Sequence, residues 1–216
     1  MAQTRKGMTF WLSKTLSMPV AVTAVSNAVQ AVVTAAGHGC LLGDVVLIES
    51  GWARVHRRAF EVAAVAGDAI TLRMLNTTNV EFHAPGTGIG SLRKVVDWQQ
   101  IIQVTDFSPS GGDPKKIEYE YLESEIAYSL NDGFSSTDYT IKVDADSLTT
   151  PGYLLAQDLT DTQADSVLKI RTKKGSNSYQ PATVALNPNL QDGNGSILTN
   201  SIAFNGTNRV VRYPAA

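Results

Sequence analysis

At 216 residues the chain is long enough for one large domain or two small ones, and for a core that hides most of its apolar surface. A formal net charge of −2 gives the surface as a whole no pull toward nucleic acid or anionic membrane, and the single cysteine, Cys40, excludes an intrachain disulfide framework. Charged residues make up 18% of the chain, against roughly 25% in an average soluble domain, which suggests surface buried against neighbouring subunits.

The N-terminal apolar run, Met8 to Leu12, is too short for a signal-peptide core. No stretch approaches the ~20 apolar residues that span a bilayer, so no membrane insertion is expected. A first strand is predicted from Thr4 to Ser13. Residues 20 to about 83 are then rich in Ala and Val, in short β-branched runs separated by Gly, Asn, Asp and Ser. Gly37, Gly39, Gly43 and Gly51 interrupt too often for a helix of useful length. That texture predicts a small barrel or sandwich of about five strands.

Residues 84–91, rich in Gly and Pro, predict a linker, and from Leu92 the strands become longer and more polar. Residues 95–107 read as a strand with a bulge near Gln99-Gln100. Residues 108–114 read as a turn cluster with two prolines and two glycines. Ile117, Tyr119 and Tyr121 alternate with Glu118 and Glu120, as a strand requires. Residues 122–130 fit strand, helix or extended loop, and Asn131-Asp132-Gly133 reads as a turn. Residues 136–146 alternate as a strand. Thr150-Pro151-Gly152 opens the one convincing helix, capped by Thr150 and carried to about Leu159. In the strand 167–174, Leu168 and Ile170 point in while Lys169, Arg171 and Lys173 point out. Strands at 179–187 and 196–204 follow. Asn205-Gly206 predicts a tight hairpin into a last strand at 207–213. The fold class is mainly β.

Catalytic and metal motifs are absent. His38 and Cys40 in GHGC lack further ligands at zinc spacing. GTGIG at 86–90 lacks the Lys-Ser/Thr of a phosphate loop. No GxSxG elbow is present. The acids Glu118, Glu120, Glu123 and Glu125 are scattered over both faces of a strand, with no glycine turn to form a calcium loop. They read as an acidic contact loop. Arg54, Arg57 and Arg58 form a basic cluster, predicted to be exposed, with Trp52 and Phe60 beside it. The reading assigns no catalytic residue, no metal and no cofactor.

With these elements in place, residues 104–159 resemble the tail-tube proteins of siphophages. The resemblance rests on a strand ending at Asp106-Phe107, a Pro/Gly loop at 108–113, and the run Ile117-Glu118-Tyr119-Glu120-Tyr121-Leu122-Glu123-Ser124. It continues with a glycine-led strand from Gly133 to Val143, an acidic turn at 144–146, and a Pro-Gly helix from Pro151 to Leu159. The family pattern has Asp where this chain has Glu118 and Glu123. Residues 33–39, 43–46 and 60–65 are similar to a small β-domain named after part of ubiquitin-activating enzymes, which recurs in phage structural proteins.

The resemblance implies a tail-tube domain of residues 1–19 and 92–216, with residues 20–91 inserted as a small β-barrel and linker. It implies homo-hexameric rings stacked into a tube, tape-measure and tail-terminator proteins as partners, and DNA passing the lumen without specific binding. The virion tail would be assembled in the host cytoplasm. A loop from Ser108 to Phe134, carrying Pro109, Gly111 and the four glutamates, would reach the next ring. Its acids would pair with the strand of Lys169, Arg171 and Lys173. The arginines of the insert would face outward, toward a host surface. The alternatives are a capsid decoration or tail-tip protein, or a carbohydrate-binding β-sandwich using Trp11, Trp52 or Trp98.

Overall fold

The computed structural model describes residues 5–123, 125–191 and 196–215; Thr4 and Ser124 lie outside them. The short β-branched runs form β1 (Thr9–Leu16), β2 (Val20–Val22), β3 (Ala24–Val25), β4 (Val32–Thr34), β5 (Val45–Ser50), β6 (Arg58–Ala66) and β7 (Ala69–Leu72). The connection between β6 and β7 is Gly67-Asp68, where Gly67 adopts φ +59°, a left-handed conformation that favours glycine. Longer strands follow: β8 (Gly90–Ile101), β9 (Val104–Gly111), β10 (Pro114–Tyr119), β11 (Tyr128–Phe134) and β12 (Thr137–Asp144). After helix α1 (Pro151–Thr162) come β13 (Asp165–Arg171), β14 (Asn177–Gln191), β15 (Thr199–Gly206) and β16 (Val211–Tyr213).

Fourteen of these strands form one sheet, in the order β3-β4-β7-β6-β5-β8-β1-β13-β14-β15-β12-β9, with β2 on β8 and β16 on β14. β8 joins the two textures of the sequence. Its first half pairs with β5, Leu92 opposite Ile48, and its second half pairs with β1, Ile101 opposite Phe10. The boundary drawn between residues 91 and 92 therefore falls inside a single strand. The bulge expected at Gln99-Gln100 lies earlier, where Val95 and Asp97 face Leu16 and Thr15 in shifted register. The strand predicted over 95–107 is broken near Gln103, which takes φ +59°.

Two apolar clusters stabilise the sheet. One packs Val33, Val46, Phe60, Val62 and Leu72 together with Val167, Tyr179, Val211 and Tyr213. It thus draws side chains from both halves of the sequence. The other packs Phe10, Leu12, Ile141, Leu168, Ile202 and Phe204 beneath α1. The Thr150 hydroxyl accepts from the Tyr153 amide, as an N-cap should, and Pro151 takes the first helical position. Tyr153, Ala156 and Leu159 bury one stripe of the helix, and Gln163 ends it in a left-handed conformation. Gly152 brings the helix close to β8: a Cβ there would meet the Gln100 carbonyl at 2.6 Å.

Three expected turns are overturned. Residues 108–114 are not a loop, because β9 runs through Pro109 to Gly111 and pairs Pro109 with Tyr139. Pro109 is tolerated because β9 is the edge of the sheet. The chain only kinks at Gly112-Asp113, and β10 and β11 then continue the β9–β12 pair as a two-stranded arm. Asn131-Asp132-Gly133 is not a turn either. It is a bulge in β11, where the register slips by one residue and Gly133 takes φ +84°. Asn205-Gly206 does not make a hairpin. β15 and β16 lie end to end along the same edge of β14, with Gly206 opposite Ala182 and Val211 opposite Tyr179. Residues 207–210 leave that edge opposite Gln180 and Pro181. The Gln180 side-chain amide donates to the Asn208 carbonyl, and the Thr207 backbone amide donates to the Pro181 carbonyl.

Candidate assembly surfaces

The arm of β10 and β11 has two unlike faces. Cross-strand pairs Ile117–Leu130 and Tyr119–Tyr128 place apolar side chains on one of them. Tyr119 stacks on Tyr128 at 5.5 Å, and Tyr121 packs edge-on to both. None of the described residues covers this face: Ile117 is 52% exposed, Tyr121 58% and Leu130 58%. Lys116, Glu118, Ser129 and Asn131 take the opposite face. Glu118, Glu120, Glu123 and Glu125 are all exposed, and none makes an ion pair among the described residues. Beside the arm, β9 has a strand partner on one side only among the described residues; the Arg5 side chain bonds its Phe107 carbonyl and Asp106 carboxylate. The opposite end of the sheet, β3, is two residues long.

The strand expected to receive the acids is interior. β13 lies between β1 and β14, and Val167 and Leu168 are buried on opposite faces. Lys169, expected to point outward, is half-buried over the rings of Trp98 and Tyr179 at 5.2 and 6.0 Å. Burial above all, and the charge of Arg171, hold its amine below the usual lysine range. Arg171 and Lys173 are exposed.

The three arginines expected to be exposed have separate environments. Arg54 is exposed over the Phe82 ring. Arg57 is half-buried and pairs with Asp165 of β13. Arg58 is half-buried, donates to the Arg54 carbonyl and lies over Phe60. The Asn208 side chain bonds the carbonyls of Ala53 and His56, so this region is tied to the loop before β16.

A buried polar group reinforces that junction, and nothing in the sequence pattern announced it. Glu61 accepts from the Tyr179 hydroxyl at 2.8 Å and from Arg73 at 2.9 Å. Its amide donates to the Tyr213 hydroxyl at 3.0 Å, which in turn donates to the Arg73 carbonyl. Burial above all, with the Glu61 charge adding to it, pushes Tyr213 up to about 12. Tyr179 is pushed up further by the same two causes. An unfolded tyrosine loses its proton near pH ~10. The folded chain therefore keeps protons that the unfolded chain releases, and stability falls as pH rises. The contribution is whole below pH ~10 and is lost by about pH 12, on the order of 2–3 kcal/mol for Tyr213. Urea midpoints measured across that window should drop, and Tyr213→Phe should flatten the drop; an unchanged slope in that variant would refute the assignment.

The remaining sequence candidates have structural explanations. Both His38 ring nitrogens are engaged, one accepting from the Cys40 amide and the other bonding the Gly67 carbonyl. Among the described residues no three His, Cys, Asp or Glu side chains gather as a metal site would require. Trp52 is buried with its indole N–H on Ala84 and Thr87, and Trp11 and Trp98 are half-buried, so the three form no stacking platform. Gly88 packs against Trp52, where a Cβ would meet the ring at 2.8 Å.

No curated protein matches the chain. Among solved structures, the fold is similar to a chain of the anti-feeding prophage (AFP) baseplate, a 6-fold symmetrised cryo-EM structure. The two share 9% identity with a TM-score of 0.35, covering 54% of this chain and 84% of that one. The family model described as "Phage tail tube protein, TTP" matches residues 50–215, which include the arm, the helix, the edge strand β9 and the junction at Glu61. The chain therefore belongs to the phage tail tube protein family, whose members are structural proteins of the virion tail and not enzymes.

Proposed function

We propose that the chain is the repeating subunit of a siphophage tail tube, with six copies to a ring and rings stacked around a lumen that passes DNA. Tape-measure and tail-terminator proteins would be its neighbours in the tail. The observation that carries this reading is the arm, whose tyrosine-rich face stands uncovered beyond the edge of the sheet. A two-stranded ribbon is marginal in water by itself, so a face of this kind gains most when another molecule lies against it. The free edge of β9 supports the same reading, since strand-to-strand joining between copies removes an exposed edge. In this arrangement the arm reaches the next ring, and residues 20–91 form an outer elaboration of the 1–19 and 92–216 tube fold.

Electron microscopy of the purified chain tests the reading. Long tubes of uniform width are expected. A particle that stays monomeric at high concentration would overturn it.

A further inference from the structure

Where residues 53–83 meet the root of the arm and the loop before β16, there is a cleft of about 550 Å³. Arg54, Arg58, Phe60, His83, Phe134 and Arg209 are among the residues that line it. Its three guanidiniums are each set over an aromatic ring: Arg54 over Phe82 at 3.3 Å, Arg58 over Phe60 at 5.2 Å, and Arg209 over Phe134 at 3.8 Å. Stacking on a ring fixes the guanidinium plane and leaves its N–H edge free for a carboxylate. None of the three has a carboxylate within ion-pair distance among the described residues. Among the described residues, then, no carboxylate compensates their charge.

The same chain carries the complement elsewhere. Glu118, Glu120, Glu123 and Glu125 occupy the outer part of the arm, also without ion pairs among the described residues. The arm cannot bring them to its own cleft. Phe134, at the root, lines the cleft, whereas Glu123 and Glu125 lie beyond Tyr128 at the other end of β11. At ~3.3 Å per residue, that strand alone sets them about 20 Å away.

Resting on the self-assembly reading above, we propose that the arginine cleft seats the acidic outer part of the arm of a second copy of this chain. Arg54 and Arg209 fork onto its glutamates, with the rings of Phe82 and Phe134 behind them. Donor and acceptor are different patches of one molecule. The contact is therefore heterologous, and each copy that accepts an arm still offers its own. Such an interface propagates through successive rings without a change of partner. Because it pairs exposed charges, it weakens as salt rises.

Two charge-reversed chains test this: Arg54→Glu with Arg209→Glu, and Glu120→Lys with Glu123→Lys. All four side chains are exposed, and circular dichroism with thermal melting checks that both variants fold. Each variant alone should yield at least about tenfold less sedimenting polymer than wild type, since like charges brought together cost several kcal/mol. An equal mixture should polymerise again, because each reversed patch then meets its opposite. So should one chain carrying all four changes. If both variants polymerise as wild type does, the cleft assignment is overturned and the tube reading stands. If the cleft variant fails and the mixture does not rescue it, the cleft has another occupant and the proposal is overturned. The same holds if the cleft variant still polymerises but loses binding to a short DNA duplex. If wild type itself stays monomeric, the tube reading fails and the proposal falls with it.

Discussion

Replacing Glu61 with leucine is expected to lower the unfolding free energy by about 3 kcal/mol. The carboxylate accepts from the buried Tyr179 hydroxyl at 2.8 Å and from Arg73 at 2.9 Å. Leucine keeps most of the volume and removes both acceptors. A buried hydroxyl left without a partner costs ~1–3 kcal/mol, and breaking a buried ion pair ~3–5 kcal/mol. The Arg73 side chain is 36% exposed and recovers much of its hydration, so its part of the loss falls below the buried-pair range and the total stays at about 3 kcal/mol. At ~2–4 °C per kcal/mol for a chain of this size, the melting temperature should fall by about 6–12 °C. Glu61→Gln, which keeps an acceptor for Tyr179, should lose less. The melt should remain a single transition, because Phe60 and Val62 of β6 share one cluster with Tyr179 and Tyr213. Two resolved transitions, with only one moved by the substitution, would contradict the shared core.

The second large effect falls on assembly and leaves folding alone. Changing Tyr119, Tyr121 and Tyr128 together to serine should abolish tubes while moving the stability of the monomer by less than about 1 kcal/mol. The three rings pack on one another on a ribbon that is not part of the fourteen-stranded sheet. Covering such rings contributes ~1.5 kcal/mol or more apiece, so their loss weakens each contact by at least about 10³-fold. Sedimentation velocity reads the association and thermal melting reads the fold. Normal tubes from the triple variant would remove the arm from the assembly contact.

Features set by neighbours in sequence were legible. Thr150 and Pro151 announce α1 because a cap and a first-turn proline act within four residues. Glycine and β-branched spacing announced the short strands before Leu72 for the same reason. Failures came where distant partners decide the outcome. Asn205-Gly206 favours a turn locally, yet Phe204 and Val211 both pack as strand residues beside β14. Gln180 and Pro181 hold the interruption between them. Pro109 reads as a turn residue unless it is known that β9 is an edge. Of the arm only β10 was legible, as an alternation of tyrosine and glutamate; β11 was not, because residues 122–130 fit strand, helix or loop alike and Asn131-Asp132-Gly133 favours a turn locally. The arginine cleft was not, since Arg209 meets Phe134 and the Arg58 neighbourhood only through partners far apart in the sequence.

The collinear path of β15 and β16 also bears on timing during translation. β16 supplies Val211 and Tyr213 to the cluster built around Phe60 and Val62, and the Tyr213 hydroxyl bonds Glu61 across 152 positions. A growing polypeptide emerges from the ribosome long before those residues are made. Until they arrive, the early strands lack one wall and Glu61 lacks Tyr213. Synthesis of residues 211–213 thus governs when the early strands become fully native, and a chain cut short before residue 211 cannot close that first cluster.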